Sequence, residues 1–500
     1  MKQILYLLLG CLIPFQFLTA KMYSSPERTP VDYVNPYIGN ISHLLVPTYP
    51  TVHLPNSMLR VYPERENFTG NTINGLPLIV TSHRGSSAFN LSPYQGELQK
   101  AGSIIQYGYD NEVIKPYYYS VDLDDDGMYV QYAPSHQSGI YQIDFSQTDK
   151  PAYLIFNTRD GELKTDGKSI SGYQKLGNHT QVYIYLETDQ QPLKIGTHQG
   201  AVIRTTDKST QGHNAYYILE YPKGTASVLL RYGVSFISSE QAKQNLRREI
   251  KNYNLQAVAD KGRSVWNETL GKIFVKGGTE NEKTVFYTSL YRTYERMICI
   301  SEDSRYFSAY DGQVHDDEGI PFYVDDWIWD TYRATHPLRL IIETEMESNM
   351  VNSLIRMAYQ MQPNWMPTFP EINGDSRRMN CNHGVATVLD AYNKGMRSFD
   401  LAKAYQVCKA AITEKTLAPW SSKPAGVLDQ FYKDHGYFPA LAVGEQETVP
   451  EVHSWERRQP AAVTLGTVYD EWCLGNIAQA LGDKKEADYF LKRSLRSEER

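Results

Sequence analysis

The stretch "SSEQAKQNLRREIKNYNLQAVADKGRSVWNETLGKI", residues 238–273, decides the fold, because the chain reads differently on its two sides. Ser239 can cap a helix here, with charged helix formers behind it, so the stretch reads as a helical linker. Upstream, from about Val31 to Ser235, short runs such as "GMYVQYAPS", "GIYQIDF", "AYLIFNT", "TQVYIYLET" and "SVLLRYGVSF" alternate along the chain and are rich in Tyr, Val and Ile. Turn signals such as "DLDDDG" and "KTDGKS" separate them, and no helical pattern intervenes, which predicts an antiparallel β-sandwich. Downstream, "IFVKGG" reads as one last strand. Nearly everything from Glu280 onward reads as helix, in segments beginning near Lys283, Asp326, Glu343, His383, Asp400, Gly426, Val463 and Lys484. The expected order is a signal peptide over residues 1–20, a sandwich domain over 21–237, a linker with its last strand over 238–279, and a helical domain over 280–500.

A sandwich, a helical linker and a toroid of paired helices is an arrangement shared by several carbohydrate-active enzymes, a likeness of fold that leaves function to the site. A closed (α/α)6 toroid needs twelve helices of ~11–15 residues plus connections. The span after Glu280 is short for that, so the helical domain is expected to be incomplete.

Composition sets outer limits. At 500 residues the chain exceeds what one core usually serves, and 41% hydrophobic with 21% charged residues is ordinary for a soluble protein. A net charge of -7 argues against nucleic acid or an anionic membrane as partner. The 38 tyrosines suit either sugar rings or a tyrosine-rich β core. The opening "MKQILYLLLGCLIPFQFLTA" reads as a secretory signal ending near Ala20, which predicts export to a periplasm or cell surface. "LLGC", ending at Cys11, offers lipidation as the lesser alternative. No other run approaches the ~20 apolar residues of a membrane span. Cys299, Cys381, Cys408 and Cys473 are widely spaced with no CxxC pair, and read as buried free thiols rather than a zinc site.

Three stretches carry candidate chemistry. In "YVDDWIWDTYRATHPL", residues 323–338, Asp326 and Asp330 stand one turn apart, as do Trp329 and Arg333. A tryptophan beside a carboxylate suits a sugar, the ring covering C–H faces while the acid accepts hydroxyl hydrogen bonds. The plain alternative is a helix start capped by Asp325 or Asp326, which is the preferred reading of Asp326. In "NWMPTFPEINGDSRRMNCNHGV", residues 364–385, Glu371, Asn373, Asn380 and His383 lie in a long loop that either lines a cleft or satisfies itself. In "VTLGTVYDEWCLG", residues 463–475, Leu465, Val468 and Trp472 trace a helix face that Tyr469 and Cys473 widen. Adjacent Asp470 and Glu471 point ~100° apart, so one is expected to pair with a neighbour and the other to be solvated.

Taken in order, "DYVNPYIGN", "FYTSLYRTY", "DSRYFSAYDGQVH", "WDTYRATHPL", "VLDAYNKGMRSFD", "GVLDQFYKDHGYFPA" and "TLGTVYDEWCLGNIAQALG" resemble glycoside hydrolase family 92, calcium-dependent exo-α-mannosidases that invert configuration. The resemblance runs from about Asp32 to the end. It implies a β-sandwich packed on a partly built (α/α)6 toroid with the site between them, Ca2+ as cofactor and a mannose-containing glycan as partner. Trp329 and Asp330 match the family's Trp-Asp pair in its sugar subsite, and His383 matches a histidine in a family loop. Gly466 occupies the place where the family's "TLE" puts a glutamate, the general acid; glycine cannot donate a proton. The family's "GHTFPG" element is here "LVPTYPT", and its "FSHTHLSG" loop is reduced to something near "VTSHRGSS", with His83 a remnant. Its base aspartate, its His-Asn-Glu-Pro stretch and most calcium ligands are expected beyond Arg500.

Two functional readings follow. In the first, the protein is a hydrolase of α-mannosides whose missing acid suits a leaving group that departs as an anion. The resemblance extends to relatives that cleave mannose-1-phosphate linkages without that glutamate. Arg457, Arg458 and His453 could meet a phosphate, although a solvated loop is the preferred reading, and Asp470 is a weak alternative proton donor. In the second, the protein is an inactive glycan-binding relative or a truncated gene product.

Overall fold

The computed structural model describes residues 28–42, 47–65, 69–81, 87–123, 127–200, 202–379 and 382–495. The predicted signal peptide, Cys11 and Cys381 lie outside these residues, as do the candidate site residues His83 and Asn380. Among the described residues no helix is long and apolar enough to cross a membrane.

The N-terminal half is antiparallel sheet, in which 14 strands among the described residues are hydrogen-bonded together, 12 along one path and two, Leu76–Pro77 and Phe89–Tyr94, branching from it. Its hub is the strand Ala152–Thr165, which pairs along its length with Ser209–Tyr221. Its first part also pairs with Phe89–Tyr94, and its second part with Ser169–Gly177. By changing partner midway, the hub lets the sheet turn back over itself as a sandwich. Contacts between the layers show this: Tyr141 and Tyr232, on Ser138–Asp144 and Ser227–Ser235, donate their hydroxyls to the carbonyls of Pro77 and Leu78 at 2.6 and 2.7 Å. Tyr107, Tyr132, Tyr141, Tyr217, Tyr221 and Tyr232 are all buried. Much of the tyrosine excess therefore builds the core rather than a ligand site. Thr180–Thr188 alternates buried and half-buried positions for most of its length, as the strand period requires.

Eleven helices follow among the described residues: α1 Ser239–Glu249, α2 Leu255–Leu270, α3 Glu280–Thr293, α4 Ile328–Thr331, α5 Thr335–Ile342, α6 Thr344–Gln360, α7 Gly384–Asn393, α8 Leu401–Thr413, α9 Val427–His435, α10 Pro460–Ala480 and α11 Lys484–Ser494. The cap of α1 is Ser238, whose hydroxyl accepts from the Gln241 N–H; Ser239, the expected cap, instead donates to the Gly172 carbonyl on the sandwich. The expected strand at "IFVKGG" does not form. Gly277 and Gly278 both take positive φ there, a turn conformation that ends any extended run. Before α4 the chain makes two hairpin pairings instead of helix, and the pairing of Ile298–Cys299 with Tyr323–Val324 delivers Asp325 and Asp326 to the domain junction. Cys299, Cys408 and Cys473 are free thiols, and burial pushes the Cys299 thiol up to about 11.

Trp266 of α2 locks the halves together. Fully buried, it donates from Nε1 to the His53 carbonyl at 2.7 Å and packs against the rings of His53, Tyr291 and Tyr294. Burial holds the His53 imidazole down to about 4, so it stays neutral. The start of α3 is fixed by a capping box in which Thr279 and Glu282 bond reciprocally to each other's backbone N–H. Thr279→Ala is expected to lower stability by about 1 kcal/mol, measured as a shift in the urea unfolding midpoint without a change in slope.

Candidate functional site

A cavity of about 160 Å3 opens between the domains, with Thr81 and Leu176 of the sandwich on one side and Asp325, Glu371, Ile372, Asn373 and Arg378 on the other. Domain junctions are common places for ligand sites. Asp325, in the left-handed region at φ 70°, turns its carboxylate between two guanidiniums, Arg60 of the sandwich at 2.5 Å and Arg296 at 2.6 Å. The hairpin of Pro370–Glu371 with Gly374–Asp375 forms the opposite wall. It is tied to the chain before α4 by the Asp326 N–H on the Pro370 carbonyl, and to the sandwich by the Asn178 amide on the Asn373 carbonyl, both at 2.8 Å. Arg378 pairs with Glu371 at 3.2 Å. Burial pushes the Glu371 carboxyl up against the pull of Arg378, and the nearby Asp325 charge adds to the rise.

Beneath α4 lies an ionic knot. His336 bridges two carboxylates, Nδ1 to Glu347 at 2.7 Å and Nε2 to Asp326 at 2.9 Å, all three groups shut off from water. Asp326 also accepts from the Thr331 hydroxyl at 2.8 Å. Asp326 is thus not a helix cap, as expected from sequence: the N-cap of α4 is Trp327, and the carboxylate is spent on a histidine ten positions away. The arrangement holds the short helix that carries Trp329 and Asp330. Asp330 is exposed at the helix surface, where partial loss of hydration and the Asp326 charge push its carboxyl up. Arg333 lies over the Trp329 ring at 5.6 Å and donates to the Tyr332 hydroxyl.

Tyr332, absent from the sequence expectations, joins the two constellations. Its ring lies 4.3 Å from that of His383 and 6.1 Å from that of Tyr469 on α10. His383, the residue before α7, bonds through Nδ1 to Asp470 at 2.6 Å, and the Asn382 N–H donates to the other Asp470 oxygen at 3.1 Å. Asp470 is buried and occupied on both oxygens. Glu471 is buried too, accepting from Arg493 at 2.6 Å and from the Tyr432 hydroxyl at 3.1 Å. The expectation that one of this pair is solvated is therefore wrong: α10 has helices packed on more than one side, so residues 100° apart both meet partners. The apolar face divides likewise, Val468 and Cys473 facing inward while Leu465, Tyr469 and Trp472 stay exposed. Gly466, half-buried, lies one turn before Asp470 on the same helix.

Of the predicted site residues, the structure brings Trp329 and Arg333 to His383 and Asp470 through Tyr332, and places Glu371 and Asn373 on the interdomain cavity. The signal for Tyr332 was its position inside "WDTYR". Nothing in the sequence pairs His336 with Glu347 or Asp326, because the pairing crosses from α5 to α6 and to the strand end.

Residues 33–235 match the glycosyl hydrolase family 92 N-terminal domain and residues 241–498 match the glycosyl hydrolase family 92 catalytic domain. The chain belongs to this family. An inverting mannosidase of the family from Bacteroides thetaiotaomicron superposes with a TM-score of 0.82 at 25% identity, over 94% of this chain and 64% of that one. A family 92 α-mannosidase from the same organism, solved with mannoimidazole, has a TM-score of 0.81 at 21% identity over the same shares. An uncharacterized secreted glycosidase of Arthroderma benhamiae is 22% identical over 97% of this chain and 64% of its own length. The chain thus spans about 64% of the length of these relatives.

Proposed function

We propose that the protein is an exported glycosidase acting on α-mannosides, working with inversion and calcium assistance, on substrates whose leaving group needs no protonation. The observation that carries this is the environment of Gly466. The only carboxylate one turn along the same helix face is Asp470, and it is a hydrogen-bond acceptor for His383 and Asn382 rather than a free acid. An inverting glycosidase ordinarily protonates the departing oxygen from one side and activates water from the other. Here the first role has no side chain at position 466, so an anionic leaving group such as a phosphodiester is favoured. Arg458 does not contribute to phosphate recognition, since Glu447 holds its guanidinium by two bonds at 2.6 and 2.8 Å. Calcium enters this reading from the family resemblance alone; among the described residues no three His, Cys, Asp or Glu side chains are grouped to hold an ion.

The test is an assay of the full-length gene product on α-mannosyl fluoride, a mannosyl phosphodiester and an unactivated α-mannobiose, with and without EDTA. Expected are cleavage of the first two, loss of both with EDTA, a β-configured first product by NMR, and mannobiose at least ~10²-fold slower. Gly466 also supports a second reading, an inactive glycan-binding relative. Failure to cleave all three, with measurable binding to mannan, would establish that reading and sink the first.

A further inference from the structure

The interdomain cavity measures about 160 Å3, below the ~300–1,000 Å3 that small-molecule sites ordinarily offer. A molecule larger than the cavity has to widen it, and the wall that yields is the one held by least. On the helical-domain side Asp325 is locked between Arg60 and Arg296. The hairpin of Pro370–Glu371 with Gly374–Asp375 is anchored at its base. There the Asp375 carboxylate accepts the N–H groups of Thr368, Phe369 and Arg377 at 3.0, 2.9 and 3.0 Å, and Tyr310 donates its hydroxyl to the Glu371 carbonyl at 3.4 Å.

The tip of that hairpin faces a second one, formed in the sandwich by Ser169–Gly177 with Thr180–Thr188. The two turn residues of the sandwich hairpin, Asn178 and His179, take φ 44° and 63°, the left-handed pair that closes tight hairpins and that asparagine adopts readily. The turn carries the exposed Asn178 side chain across to the other domain. Its amide donates to the Asn373 carbonyl at 2.8 Å, and the Asn373 amide donates back to the Leu176 carbonyl at 3.4 Å. Leu176 and Asn373 both line the cavity, so this reciprocal clasp stands at its rim. Hydrogen bonds that water can replace contribute little net stability, whereas breaking a buried ion pair is costly. The rim therefore opens before the other walls, and each hairpin keeps its own structure as it does so.

We propose that the Asn178–Asn373 clasp is a gate on the interdomain cavity, opening by separation of the two hairpin tips to admit molecules too large for the closed space to Glu371 and Arg378. The gate does not depend on the mannoside reading. The test places a reporter thiol in the cavity of the full-length protein, Thr81→Cys, and compares its labelling by methyl methanethiosulfonate and by a fluorescein maleimide, each corrected for the protein without that substitution. The small reagent is expected to react freely and the bulky one slowly. Adding Asn178→Ala is expected to speed the bulky reagent about three- to tenfold, as the loss of one exposed hydrogen bond allows, and to leave the small one within about twofold. Asn373→Ala, which removes the longer bond, is expected to act in the same direction by less. If Thr81→Cys lowers the urea midpoint, Leu176→Cys supplies the same comparison from a second lining position. An unchanged rate for the bulky reagent in Asn178→Ala overturns the gate. Equal acceleration of both reagents also overturns it, because that reports a general loosening of the fold rather than an opening at the rim.

Discussion

His336→Leu is expected to destabilise the helical domain by about 3–5 kcal/mol, the cost of leaving buried charges without their partner. His336, Asp326 and Glu347 are shut off from solvent, and the imidazole touches one carboxylate with each nitrogen. Burial alone would keep the imidazole neutral; the charges of Glu347 and Asp326 outweigh it and raise His336 to about 10. Asp326 is driven the other way, its carboxyl held below the usual range against its own burial by His336. The two shifts set opposite edges of a stability window. A histidine raised in the folded state contributes in full below its unfolded value near 6.5, and that contribution is lost as pH rises from there through about 10. A carboxylate lowered in the folded state contributes above its unfolded value near 3.8, and that contribution is lost as pH falls below it. Urea unfolding from pH 4 to 10 should show wild-type stability greatest between about 4 and 6.5 and declining towards 10. In His336→Leu the decline should instead begin near 4, because the two buried carboxylates left without their partner take up protons as burial raises them. A variant that keeps the wild-type plateau up to 6.5 would assign the pH dependence to another group. Replacing all three by apolar residues of similar volume is expected to recover much of the loss, because removing every member of a buried ionic set is far less costly than removing one.

How far the sequence could be read depends on the range of the interactions. Helix starts were legible where a local cap declares them: the helix expected to begin near Asp400 does so, with Asp400 as its cap, and α1 is capped by Ser238, one residue before the expected Ser239. The sandwich was legible where strands alternate, as Thr180–Thr188 does, while strands such as Phe89–Tyr94 are buried on successive residues. The misreadings concern long-range partners. Asp326 looks like a cap from its neighbours and is a histidine's counter-ion because α5 and α6 fold back beneath it. Glu471 looks solvated from the helical wheel and is buried because α11 brings Arg493, 22 positions on, against it. Trp329, Tyr332 and Arg333 stand together because one motif, "WDTYR", carries a whole local unit, whereas the shape of the interdomain cavity was not legible, its walls coming from residues as far apart as Thr81 and Arg378.

Gly466→Glu is expected to raise kcat/KM on aryl α-mannosides and unactivated α-mannobiose by about 10²–10³-fold, the lower part of the ~10²–10⁴-fold range over which a positioned general acid acts. It is expected to leave α-mannosyl fluoride within about threefold, because fluoride departs without a proton; the selectivity between leaving groups, not the rate alone, identifies the new residue as an acid. Folding should not suffer, since replacing glycine inside a helix by a better helix former is favourable by up to ~1 kcal/mol, and the position is half-buried rather than sealed in the core. The neighbourhood also suits the role. Asp470, one turn on and shut off from solvent, would oppose ionisation of a new carboxyl nearby and keep it protonated to higher pH. The gained activity should therefore fall on the alkaline side with an apparent pKa above the ordinary glutamate value, while fluoride hydrolysis lacks that limb. Gln at the same position, equal in size and unable to donate a proton as an acid, should give no gain. A gain with Gln would mean that filling space, not supplying a proton, was what Gly466 lacked. Equal rates of Gly466→Glu and wild type on every leaving group would remove the missing acid as the explanation of specificity.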